Sequence, residues 1–173
     1  MSGTMPKILK NFTLFINGDH VGTKIKSITL PKIERKTEEW KAGPMSGPVK
    51  VTLGLNAMSM EITAGEENAE ALKAWADLSH SGTVFRFASA HSADDSTATQ
   101  AIGIMARGKL STIDFGSAGD GLKETKFTLD MTVYQRTVDG VEQMYIDMLN
   151  CVERVDGVNI TNPILAALGL TTV

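Results

Sequence analysis

The side chains able to do chemistry are few and poorly placed for it. His20, His80 and His91 fall at predicted turns or strand ends. None has the spaced partner of a zinc site, such as His-Glu-x-x-His on a helix. Asp94-Asp95 is a carboxylate pair, and such pairs do acid–base work only in a cleft that shifts their proton affinities. Its neighbours are Ser, Thr and Ala, the composition of an exposed loop. Asp114-Phe115-Gly116 spells the magnesium motif of kinases, but a chain of 173 residues is too short for that fold and lacks its His-Arg-Asp and Gly-rich loops. Residues 114–121, with three glycines and two aspartates, read as the turn of a long hairpin. They lack the ligand spacing and closing Glu of an EF-hand. No Gly-x-Ser-x-Gly elbow is present, although a triad assembled in space stays open. Cys151 is the lone cysteine and reads as a small core residue. The pattern nominates no catalytic residue, no metal ligand and no cofactor.

Bulk properties narrow the class further. Hydrophobic residues make up 42% of the chain and charged residues 21%, which suits a folded domain and not a disordered tail. A length of 173 residues suits a single domain, 1–173, with a short N-terminal arm at 1–11. Seventeen basic against twenty acidic residues give a net charge of −3, which argues against a surface that grips a nucleic-acid backbone. No apolar run approaches the ~18–20 residues of a membrane span. Residues 1–11 are polar and basic without the apolar core of a signal peptide, so cytoplasmic synthesis is expected.

Turn signals organise what remains. Asn17-Gly18, Asp139-Gly140 and Asp156-Gly157 each separate β-like runs, and such pairs supply the positive φ angles of tight hairpins. They predict a meander of antiparallel strands. Four longer segments follow. Residues 26–40 alternate with an expected bulge or bend at Pro31, and residues 49–63 alternate with a break after Gly54. Residues 99–114 carry Ile102, Ile104 and Ala106 on one face. In the fourth, Thr125, Phe127, Leu129, Met131 and Val133 oppose Glu124, Lys126, Thr128, Asp130 and Thr132 in strict alternation. Strands usually run ~5–6 residues, so segments this long predict hairpins reaching beyond a compact monomer. One helix is expected at 66–78, with Ala69, Leu72, Trp75 and Ala76 as its apolar stripe. A short C-terminal helix is expected within 162–170, with Asn162 as cap, Pro163 at its first position and Gly169 at its end. The fold class is mainly β (α+β): an antiparallel β-sandwich or barrel with long hairpins and one flanking α-helix.

The loop at 40–48 joins two long segments and carries Trp40, Met45 and Pro48 among turn residues. It reads either as a hairpin loop whose Trp folds onto its own sheet, or as a contact loop that buries these groups in another subunit.

A family resemblance rests on motifs spread in order along nearly the whole chain. They include Leu14-Phe15-Ile16-Asn17-Gly18, Ser27-Ile28-Thr29-Leu30-Pro31-Lys32, Leu53-Gly54-Leu55, Phe85-Arg86, Arg107-Gly108, Val155-Asp156-Gly157-Val158 and Leu168-Gly169-Leu170. In these the chain resembles the major tail tube protein of contractile-tailed phages, and with it the tube subunit of R-type pyocins. The resemblance implies the phage tail tube fold, no enzymatic activity, and hexameric rings stacked into a hollow tube, the inner tube of a virion tail. It implies as partners further copies of the chain, a tail sheath protein, and baseplate and tail terminator proteins. Tape measure protein and DNA would occupy the lumen transiently. Under it, the polar strand faces supply lumen-facing candidates, Glu34, Glu38, Glu61, Glu124, Thr128 and Asp130. Trp40, Met45 and Pro48 become candidates for contact between subunits. A DNA-free contractile particle, either a bacteriocin or a type VI secretion-like tube, is the nearest rival. A monomeric small-ligand-binding β-barrel is the rival from another class, weakened by an aromatic content of 6%.

Overall fold

Three two-residue turns set the antiparallel pairing. In Asn17-Gly18, Asp139-Gly140 and Asp156-Gly157 both residues have positive φ, between 48° and 95°. That geometry matches the right-handed twist of the strands it joins. The computed structural model describes residues 5–80, 82–117, 119, 121 and 123–170. Residues 1–4 of the expected N-terminal arm, Ala118 and Asp120 of the expected hairpin turn and residues 171–173 of the expected domain lie outside the described residues.

The strands are β1 (Ile8–Ile16), β2 (Asp19–His20), β3 (Ile25–Thr29), β4 (Arg35–Trp40), β5 (Val49–Leu55), β6 (Met58–Ala64), β7 (Thr83–Ser92), β8 (Thr99–Asp114), β9 (Thr125–Val138), β10 (Val141–Asp147), β11 (Val152–Val155) and β12 (Val158–Asn159). Ten of them form one antiparallel sheet, and β4 and β5 form a separate two-stranded ribbon. Strand β9 is the hub. Along one edge it pairs with β8 from Phe127 to Val138 and beyond. Along the other it pairs first with β6, Met58 opposite Met131, and then with β10, Asp147 opposite Val133.

This branching yields a curled run, β1–β7–β8–β9–β6–β3, and an arm of β10, β11 and β12. Strict alternation sends Phe127, Leu129 and Met131 of β9 inward, to meet Met58, Met60 and Ile62 of β6, Phe85 of β7 and Leu14 of β1. Burying each large side chain contributes about 1.5–3 kcal/mol. Ile104 joins this core, whereas Ile102 is only half-buried.

Two expected long strands are corrected. Residues 26–40 are two strands in different sheets, β3 and β4, parted at Pro31, which has no N–H to offer a ladder. Residues 49–63 likewise divide into β5 and β6. The chain leaves the main sheet near Leu30, makes the β4–β5 ribbon and returns at Met58.

The helices also differ from expectation. Helix α1 spans Ala69–Trp75 and is capped by Asn68, whose Oδ1 accepts the Glu70 N–H at 2.9 Å. Its buried face is Ala71 and Ala74, while Ala69, Leu72, Trp75 and Ala76 of the expected stripe are exposed. Asn68 and Ala71 face the core beside Ile16, Ile25, Ile62, Phe85, Leu110 and Phe127. Helix α2 spans Asn162–Ala167 with Thr161, and not Asn162, in the capping position. Its chain reverses at Gly169, φ 70°, where Leu170 N–H bonds the Leu165 carbonyl at 2.9 Å.

Candidate functional site

The polar residues of β6, β8 and β9 form one continuous outer face. Glu61 stands opposite Thr128, Ser59 opposite Asp130 and Thr63 opposite Lys126. On the other side of β9, Lys109 faces Asp130, Thr112 faces Thr128 and Asp114 faces Lys126. The structure therefore brings together three of the lumen candidates, Glu61, Thr128 and Asp130, on a face of mixed charge. Lys126 Nζ lies 3.9 Å from Glu61. Glu124 sits at the entry to β9 and pairs with Lys26. The Lys26 ammonium holds its carboxyl below the usual carboxylate range. Glu34 and Glu38 are not on this face. Glu38 lies on the β4–β5 ribbon, and Glu34 precedes that ribbon, 3.1 Å from Lys32.

The ribbon is the more unusual surface. On its β4 edge Trp40 pairs with Val49 and Glu38 with Val51. A bulge follows at Leu53 and Gly54, where φ reaches 145°. One face thus carries Trp40, Val49, Val51 and Leu53, of which Trp40 and Leu53 are each 56% exposed. Among the described residues no other strand pairs with it. Trp40 does lie beside Val49 on its own hairpin. Met45 turns back on its loop, where its Sδ accepts the Ala42 N–H at 3.2 Å, and Pro48 is exposed. The alternation Val49-x-Val51-x-Leu53 was visible in the sequence. Its exposure was not, because alternation alone does not say which face another strand covers.

The ribbon is tied to the body at its base. Arg35 Nη1 donates to Glu153 Oε2 at 2.9 Å, and Nη2 bonds the other oxygen, a two-pronged grip on a nearly buried carboxylate of β11. Asn56 N–H bonds the Glu34 carbonyl at 2.9 Å across the two crossings. Neighbouring β10 and β11 are themselves clamped by Arg154, whose Nε meets Glu142 Oε1 at 2.6 Å and holds that carboxyl below its usual range.

A second apolar surface lies where the curled sheet fails to close. Strands β1 and β3 share no ladder among the described residues and face one another across a cleft of about 400 Å³. Leu9, Phe12, Ile28, Leu30, Ile102 and Arg136 are among its lining. The remaining candidates for chemistry are spoken for by local structure. Asp94 pairs with Lys10, Asp95 accepts the Met5 N–H, and Asp114 accepts the Gly116 N–H as a turn residue. His20 bonds Thr13 and His91 bonds Ser89. Among the described residues no group of three or more His, Cys, Asp or Glu is placed to hold a metal, and no helix is long and apolar enough to cross a membrane. Cys151 is exposed, which corrects its reading as a core residue.

The described residues thus present two exposed apolar surfaces, the ribbon and the cleft. The family described as phage tail tube protein FII matches residues 6–169. The chain belongs to this phage tail tube family. The tail tube protein of Escherichia phage P2 is 35% identical over 159 residues, covering 90% of this chain and 92% of that protein. The major tail tube protein of Serratia phage KSP20 is 35% identical over 172 residues, covering 96% and 98%. Among solved structures, the sheath/tube terminator of an extracellular contractile injection system, PVC, aligns with a TM-score of 0.57 at 13% identity, covering 76% of this chain and 96% of that one. The sheath-tube complex of the same system in its extended state aligns with a TM-score of 0.55 at 12% identity, covering 76% and 91%. Both share the mainly β antiparallel fold of this tail tube subunit.

Proposed function

We propose that this tail tube subunit works as the inner tube of a contractile tail. It is a single domain, with its N-terminal arm and C-terminal helix, that assembles into hexameric rings stacked around a lumen for DNA. It acts without catalysis. The observation that carries this reading is the pairing of open strand edges with an exposed apolar ribbon in one chain. Unpaired edges and bare apolar faces are liabilities unless another chain covers them. Copies arranged about an axis close the edges and leave none in the ring.

In this arrangement the polar face of β6, β8 and β9 lines the lumen, where Glu61, Thr128 and Asp130 keep phosphates from adhering. Glu124 lies toward its margin, while Glu34 and Glu38 go with the ribbon. The ribbon, with Trp40, Met45 and Pro48 at its tip, reaches the next ring. A tail sheath protein surrounds the tube, baseplate and terminator proteins bound its ends, and tape measure protein and DNA occupy the lumen in turn. Synthesis is in the host cytoplasm, and the tube's place is the virion tail.

Trp40→Ala tests the ribbon's part. Trp40 is more than half exposed and paired only on its own hairpin, so the melting temperature should stay within about 2 °C of wild type. Tubes should be short or absent by negative-stain microscopy. Full-length tubes at normal yield would remove the ribbon from the interface.

A further inference from the structure

Resting on the tube reading, the geometry points to a specific receptor for the ribbon: the cleft between β1 and β3 of a second copy of this chain. Three observations converge on it. First, the two surfaces are of opposite shape and like polarity. The ribbon projects an apolar ridge of Trp40, Val49, Val51 and Leu53, and the cleft is a concave seam walled by Leu9, Phe12, Ile28 and Leu30. Leu9 and Leu30, at its rim, are 48% and 46% exposed in the isolated chain.

Second, charge complements shape. Glu38, on the register position shared with Val51, interrupts the ribbon's apolar face at its middle, and Lys36, opposite Gly54, bounds it at the base. Arg136 interrupts the cleft's, projecting from β9 on the position shared with Ile104 and reaching Gln143 Oε1 at 2.9 Å. That contact to a neutral amide leaves the guanidinium charge unmatched by any carboxylate among the ion pairs of the described residues. A carboxylate and a guanidinium in apolar surroundings attract strongly once water is excluded, and each rejects a wrong partner.

Third, a chain does not fill its own cleft. Arg35 holds the ribbon's base to Glu153 on β11, and none of the ridge residues lines the cleft. The ridge of one copy in the cleft of another is a head-to-tail contact. Such contacts repeat from copy to copy and generate rings or filaments, according to the rotation between neighbours.

The test combines charge and cross-linking. Glu38→Arg and Arg136→Glu should each raise the protein concentration needed for tubes by on the order of tenfold, and the two together should recover most of that loss. In a Cys151→Ser background, chains carrying Val51→Cys mixed with chains carrying Ile28→Cys should form an intermolecular disulfide on assembly. That readout does not depend on the charge variants folding. Assembly of Glu38→Arg at the wild-type threshold, or mixed tubes without the disulfide, would overturn the cleft assignment and leave the tube reading standing. A wild-type chain that never assembles would remove both.

Discussion

At the scale of single residues, few side chains can be called functional in the chemical sense, and those that matter act through charge. Glu61 and Asp130 share one face of neighbouring strands, each near a lysine, Lys126 and Lys109 respectively. A mixed field of this kind offers phosphate no continuous track of cations. If that face lines the conduit, Glu61→Lys combined with Asp130→Lys makes it basic and should slow DNA ejection by about an order of magnitude. Tube yield should be unchanged, since Glu61 is exposed and Asp130 only half-buried. Ejection at the wild-type rate from such particles would place the face elsewhere.

At the scale of elements, the β8–β9 hairpin is the structural spine, and one glycine makes its close pairing possible. A Cβ on Gly108 would lie 2.0 Å from the Asp130 carbonyl oxygen, a backbone atom that cannot step aside without breaking the ladder. Gly108→Ala should therefore cost roughly 1–3 kcal/mol. In a domain of this size that lowers the melting temperature by about 3–10 °C, measurable by calorimetry. An unchanged melting temperature would mean the hairpin relaxes at that bulge.

The spine and the turns were legible in the sequence because their signals are local. Strict alternation over residues 125–133 and the Asn-Gly and Asp-Gly pairs dictate strand face and turn type without reference to distant neighbours. The ribbon was not legible, for the opposite reason. Pro31 and Gly54 mark interruptions, but whether a strand resumes in the same sheet depends on pairing with residues far along the chain. The face of α1 was misread similarly. Leu72 and Trp75 outrank Ala71 and Ala74 in hydrophobicity, yet the alanines face the core, a choice set by packing against distant strands. The lumen candidates divide along the same line. Glu61, Thr128 and Asp130 came together because they lie on directly paired strands. Glu34 and Glu38 were drawn away with the ribbon.

At the scale of the whole molecule, the chain is stable where its sheet branches and incomplete where it ends. Its core is closed by α1 at one end, yet β1 and β3 leave a seam and the ribbon stands clear of the body. In the proposed tube, other copies of the chain cover these surfaces. The direct measurement is electron microscopy of the purified chain across a concentration series, with sedimentation velocity alongside. The account predicts hollow tubes or rings with six subunits around an axis, rising from a monomer as concentration increases. A monomer that persists at every concentration would contradict it.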